Sequence, residues 1–474
     1  MAYTTSSDSY TSRRQRPRAS SCFAAEPTNT LTDRLNQALN SSGAGYTLSL
    51  CPSTNYPITA PIQFAAPNQE ISTQGYPTDD SRALIVVTGS INNGSGQTTA
   101  VDGTCNQCSG VKLRNIQIDG SRNGGPPVTG GGNVEMGGSN SNQLVEYVKS
   151  YNPRGWTCLH ITEGGLSCNN VTVQNNDVGP CGTDDFQQWA DGLSISCQNA
   201  VVRNNMVKNP TDGGIVIFGS PGTQVYNNTI WVVNQTLLGG INMVDYDPWN
   251  GNYTNTVVYN NTILGGFSDE KPEAGESDGT STDDVIIKLG IAIGPRTWFG
   301  DHYGNNVSSS GSVYNNRLSG AFSYAIGMSS AFNFTVENNV LFGNTSFIGS
   351  RGPNCSTSDT TPTPAPFVLD QSTVSKSTTQ TNFTVIKDGN SLTCVQPPDG
   401  GDYWPFGGNP STTGTTTSAK LHSSAGSKAG IAVGVIFGLL FVAISAFFIR
   451  RWALKRSEAR RLYAASRFRN MTKS

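Results

Sequence analysis

A six-residue unit, Val-x-Asn-Asn-x-(Val/Ile/Leu), occurs six times in this chain. The copies are VQNNDV from Val173, VRNNMV from Val202, VYNNTI from Val225, VYNNTI from Val258, VYNNRL from Val313 and VENNVL from Val336. Their first asparagines fall at 175, 204, 227, 260, 315 and 338, so the gaps are 29, 23, 33, 55 and 23 residues. A second unit, a small residue followed by apolar-x-apolar, lies between them: GLSI from Gly192, GIVI from Gly214, GINM from Gly240 and GIAI from Gly290, with CLHI from Cys158 and AIGM from Ala325 as looser copies. Two short strands per period of roughly 22 residues or more mark an architecture of stacked coils. One coil cannot bury its own narrow interior, so the coils must stack, at the ~4.8 Å spacing of paired strands. Paired asparagines suit the bends, because Asn tolerates left-handed backbone. Their amides can also bond to the equivalent amides one coil away. The longer gaps predict inserted loops at Gly179–Ala190, Asp245–Thr256, Phe267–Lys288 and Pro295–Ser310, and such loops often gather into a binding face.

Composition agrees. Only 14% of the 474 residues are charged, while glycine numbers 53. That mix is foreign to coiled coils and helical bundles and fits many short strands with tight turns. The net charge of −2 hides an uneven distribution. Residues 450–474 carry nine Lys/Arg and one Glu, and residues 1–21 carry four Arg and one Asp, so the body between them is acidic. An acidic body has no electrostatic footprint for nucleic acid.

Near the start, Leu31, Leu35, Ala38 and Leu39 recur at helical spacing. This predicts a short amphipathic helix over Thr30–Asn40, capped by Thr30 or Thr32 and ended by Gly43. The stretch YTLSLCPSTNYPITAPIQF (Tyr46–Phe64) follows and reads as short strands broken by Pro and Asn. The helix, this stretch and the Asn-Asn coils, covering roughly 28–344, together resemble the pectin-lyase-like right-handed parallel β-helix superfamily. The resemblance implies an all-β, right-handed parallel β-helix with an N-terminal capping helix, and a polysaccharide partner lying along the outside of the parallel strands. The fold serves many chemistries, so the reaction has to be argued from side chains.

Ala429–Ile449 is a run of 21 uncharged residues, long enough for one transmembrane helix. Arg450, Arg451, Lys455 and Arg456 follow at once and place the C-terminus in the cytosol. The expected organisation is a disordered basic segment at 1–21, a β-helix at 22–350, a Ser/Thr/Pro-rich cap and stalk at 351–428, a membrane helix at 429–449 and a cytosolic tail at 450–474. The expected location is the plasma membrane, single-pass, with the β-helix outside the cell. Ten cysteines, none in the tail, fit disulfides in an oxidising compartment. Cys22–Cys51 and Cys355–Cys394 are possible pairs, and Cys105-x-x-Cys108 could instead be a redox or zinc motif that lacks a second ligand pair. Twelve Asn-x-Ser/Thr sites ahead of the 429–449 segment point to the same compartment. The first thirty residues hold no apolar signal-peptide core, which leaves an unrecognised leader or a mis-assigned start as the expectation.

Candidate chemistry centres on Asp191 in WADGLSIS and Asp212 in PTDGGIVIF, 21 residues or about one coil apart. Stacking would bring these carboxylates close, and glycoside hydrolysis uses such a pair as acid and as base or nucleophile. Asp-Gly is also a favoured turn dipeptide, so both residues have a purely structural reading. The pair is similar to the Asp motifs of the polygalacturonases in the superfamily. Gly213 stands where their second paired Asp belongs, however, and no Gly-His-Gly or Arg-Ile-Lys follows. His160 aligns with Ser194 and Asn242 at the middle of the apolar-x-apolar unit and should face outward. His160, Asn242, Trp189 and Arg296 are therefore candidate substrate-binding residues, and Trp156, Tyr246, Trp249 and Trp298 are further aromatics at coil ends. No metal ligands are assigned. If the chain were a lyase, the resemblance implies Ca²⁺ as cofactor, and Asp184 and Asp185 offer loop carboxylates for it. A hydrolase is expected ahead of a lyase, with a non-catalytic glycan-binding or adhesive surface protein as the alternative.

Overall fold

The computed structural model describes residues 22–183, 188–266, 268, 286–347, 349, 364–390 and 392–393. Three ladders of parallel strands run the length of the stack, and each coil contributes one strand to each ladder. The first ladder has eleven strands, from Thr47–Leu50 to Thr378–Thr379, and holds the Val-x part of every repeat, ending just before the first asparagine. The second ladder follows each Asn-Asn bend, as at Met206–Lys208, Thr229–Trp231 and Thr262–Leu264. The third includes Val134–Gly137, Thr157–Thr162, Asp191–Ile195, Gly213–Ile217, Leu237–Met243 and Ile287–Ile293. The twelve-residue strand Arg317–Met328 joins the second ladder at its start and the third at its end. The expected parallel β-helix is thus observed.

Both asparagines of each pair have a physical task. The first takes left-handed backbone, with φ of 56, 55, 54, 54, 57 and 57° at Asn175, Asn204, Asn227, Asn260, Asn315 and Asn338. The second turns inward and bonds to its counterpart one coil on. Nδ2 of Asn176, Asn205, Asn228, Asn261 and Asn316 donates to the next Oδ1 at 2.8, 2.8, 2.9, 3.0 and 2.9 Å. Each of these side chains also donates to a backbone carbonyl, for example Asn228 Nδ2 to Val202 O at 3.0 Å. The row is buried yet satisfied, which is the condition for polar groups in an interior. Val173, Val202, Val225, Val258, Val313 and Val336 stack beside it, all fully buried.

The glycine of the second unit is explained by close approach. A Cβ at Gly192, Gly214, Gly240 or Gly290 would stand 2.6, 2.5, 2.4 or 2.5 Å from the carbonyl oxygen one coil on, and would also meet the Val, Ile or Leu that fills the interior. Only glycine fits that column until Ala325 ends it.

The helix spans Leu31–Ser42 after a 3-10 turn, and Gly43 ends it at φ 74°. Leu31, Leu35 and Leu39 are fully buried and cover the first coil. Thr30 sits at the N-cap position but makes no capping bond; Arg34 Nε donates to its hydroxyl instead. Cys22–Cys51 forms as expected, and Cys158–Cys181 and Cys168–Cys197 tie neighbouring coils. The Cys105-x-x-Cys108 motif is a disulfide. Strands at Phe367–Asp370 and Thr384–Ile386 extend the ladders past residue 350, into the stretch expected to be cap and stalk. Cys355, Cys394, Asp184, Asp185 and the segment 429–449 lie outside the described residues. Among the described residues no helix is long and apolar enough to cross a membrane.

Candidate functional site

The third ladder sets its outward side chains in rows, because strand register fixes which residues are neighbours. Glu135, His160, Ser194, Val216, Asn242 and Ala292 form one such row, one residue per coil. The alignment of His160, Ser194 and Asn242 expected from their shared motif position is observed. His160 is partly exposed, whereas Ser194 and Asn242 are buried.

Asp191 opens the strand Asp191–Ile195. Register places it opposite Gly213, not Asp212, because Leu193 pairs with Ile215. The coil here is 22 residues long, one more than the spacing of the two aspartates. Asp191 is 5% exposed, and both its oxygens are engaged. Gly213 N–H donates to Oδ1 at 2.8 Å, and Ser194 Oγ donates to Oδ2 at 2.8 Å while standing 2.9 Å from Thr157 Oγ1. Burial pushes the Asp191 carboxyl well above its ordinary range, and the charge of Asp212 adds to this. The bonds from Ser194 and Gly213 oppose the shift, and Asp245 reinforces it.

Asp212 is half-buried just before the strand Gly213–Ile217, and burial raises its carboxyl to about 6. The third carboxylate, Asp245, was not anticipated from sequence. Burial raises it to about 8, helped by the charges of Asp212 and Asp247. Asp245 follows the strand Leu237–Met243, in an insertion folded back over the ladder. Tyr253 Oη donates to Ile217 O at 2.7 Å and lies 3.3 Å from Asp245 O, and Trp249 Nε1 donates to Ser196 Oγ at 3.3 Å. The three carboxylates therefore form one electrostatic group in which a proton is easily held, the state a general acid needs.

Asn242 lies across the outward face of two glycines. A Cβ at Gly213 would be 2.9 Å from Asn242 Nδ2, and one at Gly239 would be 2.1 Å from Oδ1 and 2.6 Å from the Trp298 ring. Asn242 Oδ1 is buried and has no hydrogen-bond partner among the described residues. Such a group is costly unless something arrives to satisfy it.

His160 Nδ1 meets Glu135 Oε2 at 2.8 Å. Trp156 packs edge-on to the imidazole at 4.8 Å, and Phe218 lies 6.4 Å away. Trp189 sits two residues before Asp191, half-buried, in a bridge to Gly182. Arg296 lies, partly exposed, in the helical turn Arg296–Phe299, where its guanidinium donates to Gly304 O at 3.4 Å and Asn390 Oδ1 at 3.3 Å. Its contacts pin the Pro295–Ser310 insertion and give it a structural task. Lys288, buried beside Leu238 in register, is brought down to about 7 by burial. Among the described residues no group of three or more His, Cys, Asp or Glu could hold a metal ion.

No protein-family profile and no curated protein matches the chain. Solved structures with similar backbones include an alginate lyase from Paenibacillus sp., 14% identical, TM-score 0.43, over 66% of this chain and 95% of that one. The A-module of a mannuronan C-5 epimerase from Azotobacter vinelandii is 14% identical, TM-score 0.41, over 74% and 94%. A surface adhesin of Streptococcus pneumoniae is 13% identical, TM-score 0.38, over 68% and 89%. At such scores they carry no argument about this chain, whose fold rests on the strand register itself.

Proposed function

We propose that the outward face of the third ladder is an acid–base site acting on polysaccharide, and that its reaction is hydrolysis of a glycosidic bond. The observation that carries this reading is the buried Asp191 carboxyl, raised in company with Asp212 and Asp245. In hydrolysis one protonated carboxyl gives its proton to the leaving glycosidic oxygen. A second, ionised carboxylate assists water or attacks the anomeric carbon. Asp191 is the proton donor in this scheme, Asp212 is the ionised partner at neutral pH, and Asp245 keeps the group's proton affinity high. Asn242, His160, Trp189 and the neighbouring aromatics bind the chain of sugars.

A lyase would need a base for the proton next to a uronate carboxylate, and Lys288, at about 7, has the proton affinity for that task. The Ca²⁺ that such a reading brings finds no fitting cluster among the described residues, so no step is routed through it. The alternative is a glycan-binding or adhesive module without catalysis. It is favoured by the full engagement of both Asp191 oxygens within the fold.

The body is placed outside the cell and anchored by 429–449. Four disulfides support that placement. Of the twelve glycosylation motifs, Asn354 lies outside the described residues, Asn252 is half-buried and the other ten asparagines are exposed, as an acceptor must be.

The test is the full chain assayed on polygalacturonate, alginate, galactan and xylan beside Asp191→Asn and Asp212→Asn. Hydrolysis lost in both variants supports the carboxylate site. Undiminished hydrolysis in both rejects it, and binding without turnover by the unaltered chain selects the adhesive reading.

A further inference from the structure

Glu135 is held on both oxygens. Oε1 accepts Gly132 N–H at 2.6 Å, and Oε2 meets His160 Nδ1 at 2.8 Å. The backbone can come that close because residues 130–132 are glycines: a Cβ at Gly131 would stand 2.4 Å from Glu135 Oε1, and one at Gly132 would strike Thr157. An ionised carboxylate only accepts hydrogen bonds, so the imidazole nitrogen facing it must be the donor. That leaves Nε2 of the neutral ring as an acceptor. Nε2 has no hydrogen-bond partner among the described residues. Trp156 and Phe218 flank the ring and fix its plane. His160 is in register with Ser194, whose hydroxyl holds Asp191, so the imidazole stands one coil away from the carboxylate group.

We propose that Glu135 is a positioning residue that sets the polarity of His160, so that Nε2 accepts a hydrogen bond from a sugar hydroxyl seated one coil from Asp191. The hydroxyl contact rests on the glycan reading above; the polarity does not. Exchange of Glu135 for glutamine isolates the effect. Glutamine has one acceptor oxygen where glutamate has two. With that oxygen kept by Gly132 N–H, the amide NH₂ faces Nδ1 and the ring's proton moves to Nε2. The outward nitrogen then turns from acceptor to donor with almost no change of shape. A wrong imidazole tautomer of this kind costs a hydrolase about 10⁴-fold in the serine-protease case.

The experiment uses the full chain labelled with ¹⁵N at its three histidines, with the His160 signal assigned by its loss in His160→Gln. At alkaline pH the unaltered chain should show His160 protonated on Nδ1, and Glu135→Gln should show it protonated on Nε2. In parallel, calorimetric titration with galacturonate and galactose oligosaccharides should show binding about tenfold weaker in Glu135→Gln. Asp191→Asn should leave the tautomer unchanged. An Nε2-protonated ring in the unaltered chain, or no change of tautomer in Glu135→Gln, overturns the assigned polarity. A reversed tautomer with undiminished affinity overturns the hydroxyl contact. If the unaltered chain binds neither oligosaccharide, the glycan reading fails while the polarity result stands on the spectra alone.

Discussion

The outer faces of the first and third ladders are built from the same kind of strand, yet they treat polar side chains in opposite ways. On the first ladder the outward row from Arg114 to Tyr314 is engaged residue by residue with the neighbouring coil. Arg114 Nε donates to Glu146, Gln174 donates to Glu146, Arg203 donates to Gln174 and to Tyr226 Oη, and Tyr226, Tyr259 and Tyr314 stack at 4.9 and 5.3 Å. On the third ladder, Asn242 Oδ1 and His160 Nε2 have no partner among the described residues, and three carboxyls are pushed upward together. Stacking a coil on its twin supplies partners without further design, so an unpaired group needs a separate reason. The third ladder is where the fold forgoes stability, which is the usual condition of a site that must receive something.

The largest effect that could break this contrast concerns Asp191. Asn at 191 can still accept Gly213 N–H and can donate to Ser194 Oγ. Asp191→Asn is therefore expected to lower turnover of a responsive glycan by about 10³-fold, with a melting temperature equal to or above that of the unaltered chain. A large loss of stability instead would make Asp191 a structural residue. Two buried asparagines sharpen the contrast further. Asn228→Ala takes the acceptor away from the N–H of Asn205 and from one Nδ2 hydrogen of Asn205, while Asn261 Oδ1 keeps the N–H of residue 228, and should cost about 3 kcal/mol in urea unfolding. Asn242→Ala removes a group with an already unpaired oxygen, and should cost under about 1 kcal/mol while weakening glycan binding. Equal costs at the two positions would erase the distinction between the faces.

A third expectation follows from Asp245. Below about pH 4 the carboxyl is protonated both in the fold and in the unfolded chain, and the fold's preference for the protonated form is fully present. As pH rises the unfolded chain ionises first, while the fold keeps the proton to about 8. Stability therefore falls across that window. Asp245→Asn should be more stable than the unaltered chain by about 2 kcal/mol at pH 8 and no different at pH 4, as melting curves would show. On the first ladder, Tyr259→Ala opens the ring stack and should cost about 1 kcal/mol, with glycan turnover unchanged.

The coil architecture was legible because it repeats. Six Asn-Asn pairs report both a bend that needs left-handed backbone and an amide that needs a twin, and one glycine per coil reports a close carbonyl. The site was legible only where it shares that rhythm. His160, Asn242 and Asp191 stand in or beside the repeated motifs. Asp245 comes from an insertion whose return over the ladder depends on Tyr253 and Trp249, which no local pattern encodes. Glu135 lies in the early coils, before the first Asn-Asn pair, with nothing to mark its partner 25 residues away. The alignment of Asp191 with Gly213 was hidden by a coil one residue longer than the aspartate spacing. The contacts of Arg296 with Gly304 and Asn390, the latter 94 residues away, are likewise encoded by no local pattern.

The asparagine row has a further consequence. Asn205 and Asn228 are 23 residues apart in the chain and their amides meet at 2.8 Å; Asn261 and Asn316 are 55 apart and meet at 3.0 Å. The row measures turns of the coil and is indifferent to how much chain hangs between them. A lineage of such proteins can lengthen, shorten or rewrite the loops over the third ladder while the spine stays in register, so what the surface recognises is free to drift without the fold having to be invented again.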